Sequence, residues 1–193
     1  MTAPVVFPLP ETNQRRLWWP SDLIVAIHTE LARRLPDEAA GALYRLGRLT
    51  GVRWLRERAA DAEVQPEQAP LSARLRRCDE WFADAGWGRV DATPLGAVLI
   101  VNHYNSPIAA ALRAAGSAST PVDDFFAGFF AEAATQYAGR PQESVEISCL
   151  AVNAHYCRFV VGEASIIRKV YAWLTYQHDP RDILRRLADE TTL

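Results

Sequence analysis

Two pairs of short segments with a two-residue apolar alternation constrain this chain more than any other feature of its sequence. Arg89–Ala92 and Ala97–Asn102 are separated by the turn Thr93–Gly96, and Ser144–Cys149 and Tyr156–Val161 by a stretch that turns near Val152–Ala154. Neither connection reaches the roughly dozen residues that a parallel crossover needs, so each pair returns on itself as an antiparallel hairpin. The remaining apolar pattern has the helical period. Ser21 caps a first helix carrying Leu23, Ile24, Ile27, Leu31 and Leu35, and Pro36-Asp37 starts a second that runs to about Ala60. The second buries Ala39, Leu43, Leu46 and Leu49 and turns Arg45, Arg48, Arg53, Arg56 and Arg58 to solvent.

A third helix spans Leu71–Ala85, with Leu75, Cys78, Trp81 and Phe82 on one side, and Gly86-Trp87-Gly88 ends it. Ser106-Pro107 opens a helix after the first hairpin. Asp123–Ala138 is an aromatic helix with Phe125, Phe126, Phe129, Phe130 and Tyr137, and its Gly128 implies close packing against the sheet. Glu163–Gln177 and a short last helix from Pro180 complete the chain. The order predicts an α+β fold, an antiparallel sheet of about four strands packed against helices. One domain is expected over residues 21–193. It follows an extended arm over residues 1–20, where Pro4, Pro8, Pro10 and Pro20 oppose helix and Trp18-Trp19 anchors the end.

The 49% apolar and 23% charged residues suffice for a buried core. A net charge of -2 argues against a general nucleic-acid binder. Three cysteines without a leader-like start point to a reducing, cytoplasmic setting, and no apolar run approaches the roughly 18 residues of a membrane span.

The chemistry concentrates in Glu146-Ile-Ser-Cys149-Leu-Ala-Val-Asn-Ala-His155-Tyr-Cys157. A hairpin there brings Cys149 and Cys157 together, at a separation that suits two packed thiols, a redox pair or a shared metal. With Glu146 and a fourth donor, either His155 or Asp123, the two thiolates would make a tetrahedral zinc site. On a regular strand Glu146 and Cys149 face opposite ways, so the site requires a bulge between them. Signs of catalysis are few. The only Gly-x-Gly precedes a strand, no nucleophile elbow or zincin helix is present, and Cys157 with His155 or His103 is a poor relay, so the chain is expected not to be an enzyme.

The Gly86-Trp87-Gly88 turn, the Asn105-Ser106-Pro107 helix start, the aromatic helix with Gly128 and the Glu-x-x-Cys-x7-Cys-x-Phe run ending at Phe159 resemble the 4-vinyl-reductase-type domain. That family includes aromatic-sensing domains of bacterial regulators and shares its fold with TRAPP subunits. The resemblance implies a structural zinc on Glu146, Cys149 and Cys157, with Asp123 where the family has a further cysteine. It places His103, where the sensors carry a tryptophan, together with Tyr104, Phe126 and Phe130, around a small hydrophobic or aromatic ligand. It also implies a homodimer that signals through a protein partner. A weaker resemblance to the cellulose synthase D family implies a non-catalytic oligomeric scaffold instead, and a tetrapyrrole vinyl-reductase accessory role ranks below both. A sensor should enclose an apolar cavity of a few hundred Å³ beneath Phe125–Phe130, on the order typical of ligand pockets, whereas a scaffold should be filled there.

Overall fold

The four strands, β1 (Arg89–Leu95), β2 (Val98–Tyr104), β3 (Glu143–Ser148) and β4 (Cys157–Gly162), form one fully antiparallel sheet in the order β1-β2-β4-β3. The α+β architecture expected from the sequence is the one found. The computed structural model describes residues 21–60, 71–116 and 118–189, so the extended arm expected over residues 1–20 lies outside the described residues. Among the described residues the helices are α1 (Ser21–Arg34), α2 (Ala39–Ala60), α3 (Leu71–Asp84), α4 (Pro107–Ala114), α5 (Asp124–Ala138), α6 (Ala164–Thr175) and α7 (Pro180–Asp189).

The first hairpin is tighter than expected. Leu95 pairs with Val98 across a two-residue turn at Gly96-Ala97, with Gly96 at φ 60. Thr93 and Pro94 therefore belong to β1 rather than to the turn. Pro94 is tolerated because β1 is an edge strand.

Both faces of the sheet are covered, which explains the uninterrupted apolar run Val98-Leu-Ile-Val101. Val101, His103, Cys157, Phe159 and Val161 face the layer built on α5, whereas Val98, Ile100, Val145, Ile147 and Val160 face α6 and α7. Toward its other end the α6–α7 face gives way to a polar patch. There Arg158 Nε donates to Asn102 Oδ1 at 2.7 Å, and Asn102 Nδ2 to Asp91 Oδ1 at 2.7 Å.

Helix α5 is clamped from outside by α2 at a contact that the hydrophobic pattern does not announce. A Cβ on Gly47 would stand 1.9 Å from the Phe125 carbonyl oxygen, and one on Gly128 would stand 1.9 Å from the Tyr44 oxygen. Gly128 thus admits α2, and the expectation that it packs against the sheet is corrected. The buried stripe of α2 is Leu43, Gly47, Gly51 and Leu55. Leu46 (50% exposed) and Leu49 (69%) face solvent, contrary to the sequence reading.

Arg48 is likewise not a solvated arginine. Its guanidinium bridges Glu132 on α5 (3.1 Å) and Glu143 on β3 (3.3 Å), and donates to the Gln142 carbonyl at 3.2 Å. Beside it Tyr44 donates its hydroxyl to Glu143 and accepts the Ser144 N–H at 3.2 Å. Together these contacts fix α2, α5 and the start of β3 to one another.

The close crossing separates two glycine-to-alanine substitutions by sign. Gly128→Ala should cost about 3 kcal/mol through backbone overpacking. Gly41→Ala, whose Cβ meets only the flexible end of Arg45, should gain about 0.5 kcal/mol from helix propensity. Thermal denaturation of the two variants checks both.

Candidate metal centre and aromatic box

The condition set by strand alternation is met by a bulge in β3. Glu146 pairs with Phe159 and Ser148 with Arg158, so two steps along β3 match one along β4 and Ile147 is the extra residue. Past the bulge the alternation is inverted. Ser148 faces outward, its hydroxyl donating to the Tyr156 carbonyl at 3.3 Å, and Cys149 turns to the side that Glu146 faces. The chain then makes a single 3-10 turn at Leu150–Val152, reverses at Asn153 (φ 65) and enters β4 at Cys157. Glu146, Cys149 and Cys157 thereby offer three buried ligand atoms within 4.8 Å of one another.

The distances favour a shared ion over a disulfide. Cys149 Sγ and Cys157 Sγ are 3.9 Å apart and both thiols are free. Two thiolates on one tetrahedral zinc, with Zn–S of about 2.3 Å, would stand about 3.8 Å apart. The Leu150 N–H points at Cys157 Sγ (3.4 Å), and backbone groups of Val122 and Ala151 support the Cys149 thiolate.

Asp123, at the N-cap of α5, adjoins this group. Its N–H donates to Glu146 Oε2 at 2.9 Å, and its Oδ2 accepts the Ser106 hydroxyl at 2.5 Å. Glu146 Oε1 and Asp123 Oδ1 are buried with no hydrogen-bond partner in the structure. His155, the other candidate for fourth donor, is exposed and stands outside the converging three. Cys78 is buried in the core among apolar side chains.

The electrostatics make these four acids mutually costly. Burial, before any neighbour, raises the Asp123 carboxyl to about 7, and burial together with Asp123 and Cys149 raises Glu146. Cys149 is lowered to about 6, chiefly by a hydrogen bond with Cys157, whose own thiol is pushed up by that partner and by burial. Four potential anions in one dry volume cannot all ionise without a compensating cation. Two soft sulfurs, the Glu146 carboxylate with an unused oxygen and the short S–S separation suit a divalent ion, with the Asp123 carboxylate adjoining the three.

The residues expected around a ligand divide. His103, Phe126 and Phe130 come together beneath α5, with ring centroids 4.5 Å (His103–Phe126) and 5.8 Å (His103–Phe130) apart. Tyr104 does not join them. As the next residue on β2 it faces the opposite side of the sheet, where its hydroxyl donates to Asp91 Oδ2 (2.7 Å) and its ring meets Tyr156. Neighbouring strand residues must diverge, and that alternation could have separated the pair in the sequence.

The wall also contains Trp87, which the sequence did not single out as functional. Gly86 and Gly88 adopt φ 70 and 88 on either side of it, and a Cβ on Gly88 would strike the Tyr104 oxygen at 2.2 Å. The Trp87 carbonyl takes the His103 Nε2–H at 2.6 Å. A carbonyl only accepts, so Nε2 carries the proton and Nδ1 is the bare nitrogen. Burial lowers the His103 pKa to about 4, which leaves the ring neutral at pH 7. Nδ1 has no hydrogen-bond partner in the structure and stands 4.0 Å from Asp123 Oδ2. Asp123 therefore links the acid cluster to the aromatic box.

Ser106, His103 and Asp123 do not make a nucleophilic relay. The Ser106 hydroxyl donates to the aspartate and accepts the Ala109 N–H (3.3 Å) as the α4 cap, and the imidazole proton is committed to Trp87. The interior of the box holds the Phe82 ring, where an enclosed cavity was expected of a sensor. An open surface groove of about 570 Å³ lies elsewhere, between α1 and α4, with Val25, Ala26, Ala111, Ala114 and Ala115 in its walls.

No family model matches the sequence, and a search of curated proteins finds no match. Solved structures do match. The phenol-responsive sensory domain of the transcription activator PoxR, determined with phenol, aligns with a TM-score of 0.63 at 20% identity, over 77% of this chain and 76% of that one. The chain has the fold of that sensory domain. A trafficking protein particle complex subunit 3 from Naegleria fowleri, covalently bound to palmitic acid, aligns with a TM-score of 0.48 at 10% identity, over 74% of this chain and 93% of that one. No helix among the described residues is long and apolar enough to cross a membrane.

Ser106 tests how the two parts are joined. Ser106→Ala removes a helix cap and the hydroxyl donor of a buried carboxylate, and should cost about 2 kcal/mol in chemical denaturation.

Proposed function

We propose that this chain is a non-catalytic domain that binds a small hydrophobic or aromatic molecule and is braced by a structural zinc ion. The single observation that carries the ligand reading is the buried, neutral His103, whose Nδ1 lacks a partner within a wall of aromatic rings. Apolar walls with few polar groups are the usual lining of a small-molecule site, and here Phe82 fills the space between them. The fold shared with a phenol-responsive domain supports the same reading. In it His103, Phe126 and Phe130 contact the ligand, and Tyr104 is left out because it faces the other side of the sheet.

Zinc is assigned to Glu146, Cys149 and Cys157, with Asp123 as fourth ligand. Bound there, it would neutralise the buried acids and cross-link β3, β4 and the start of α5. The reading extends to a cytoplasmic homodimer that passes its signal to a protein partner. The competing scaffold reading draws on the packed interior around Phe82, and ligand binding decides between the two.

Metal analysis of purified full-length protein should give about one zinc per chain. Cys149→Ser should abolish retention and Asp123→Asn should weaken it, while Asp123→Cys retains the metal. Chelation should lower the thermal midpoint of the wild type and leave that of Cys149→Ser unchanged. For the ligand, calorimetric titration with phenol should show one site per chain, weakened by His103→Phe. Absence of binding across phenols and other monocyclic aromatics would leave the scaffold reading.

A further inference from the structure

The side chain at the centre of the aromatic box is not one of its walls. Phe82 is fully buried, and its ring centroid lies 5.3–5.8 Å from those of Trp54, Trp87, His103, Phe126, Phe129 and Phe130. It lies nearly parallel to Phe130 (15°) and edge-on to His103 (84°), the two arrangements that an aromatic guest adopts against rings. The six surrounding rings come from α2, α5, β2 and the Gly86–Gly88 turn. The ring in the middle comes from α3, which rests on the edge strand β1 and is tied there by Asp79, whose Oδ1 accepts the Val90 N–H at 2.9 Å and the Arg89 Nε–H at 2.7 Å. A peripheral helix thus supplies the filling of a box whose walls belong mainly to other elements.

We infer that Phe82 occupies the seat of the guest ring and must leave it before a ligand can bind. This rests on the ligand reading proposed above and names how that site is controlled. The seat has the size of one six-membered ring, so its class of occupant is a monocyclic aromatic molecule. Withdrawal of Phe82 carries the end of α3 and the adjoining Trp87 turn with it, because the Trp87 N–H bonds to the Phe82 carbonyl at 2.9 Å. Guest entry is thereby converted into a displacement at the protein surface, the output that a partner could read.

The test uses the full chain, wild type beside Phe82→Ala and the milder Phe82→Leu, each confirmed as folded by circular dichroism, with phenol as the probe. Calorimetry should give phenol binding roughly tenfold or more tighter in the variants, since the fraction of open seats no longer limits affinity. Stopped-flow fluorescence, reporting Trp54, Trp81 and Trp87, should show a wild-type association rate that saturates with phenol and a variant rate that rises linearly. Variants that bind phenol no tighter than a phenol-binding wild type would overturn the inference and leave the ligand reading standing. Binding by the variants alone, with none by the wild type at any concentration, would show only the cavity made by truncation and would overturn both the inference and the ligand reading. Failure of both folded variants to bind phenol would overturn the inference.

Discussion

Acidic groups buried away from solvent govern the heart of this domain. Glu146, Cys149 and Cys157 converge, Asp123 adjoins them through its N–H to Glu146, and all four are buried. Carboxylates left in such a place hold their protons, as the upward shifts of Asp123 and Glu146 record. The proposed divalent cation would turn the same arrangement from a cost into a cross-link, joining strands whose own ladder is broken by the bulge at Ile147. What stands next to the cluster inherits its geometry. Asp123 fixes Ser106 and thus the start of α4, and it faces the bare nitrogen of His103 across 4.0 Å.

The aromatic box depends on a second constraint, the close approach of α2 to α5. Where Gly47 and Gly128 let the two backbones touch, Trp54 can reach past α5's flank to Phe129, 5.3 Å away, and to Trp87, 5.7 Å away. The Arg48 ion pairs hold the crossing at the β3 end, close to the strand that carries Glu146. The buried acid–thiol cluster and the box are therefore two ends of one braced unit.

Much of the frame was legible in the sequence. The hairpins follow from two-residue alternation with short returns, α5 from its apolar density, and the start of α4 from Ser106-Pro107. The convergence of Glu146 with the two cysteines could be stated only as a condition, because a bulge is a local change of register that leaves no mark in residue periodicity. The buried face of α2 was misread for a related reason. Glycines that bury backbone against backbone carry no hydrophobic signal, so Leu46 and Leu49 drew the stripe to the wrong side. Phe82 looked like one more core residue of an amphipathic helix, since periodicity tells which side a ring faces and not which rings surround it.

Zinc-edge X-ray absorption on the purified full-length chain tests the centre of this account most directly. The expected first shell holds two sulfurs at about 2.3 Å and two oxygens at about 2.0–2.2 Å. A shell of oxygen or nitrogen alone, or protein that carries no zinc, would contradict it.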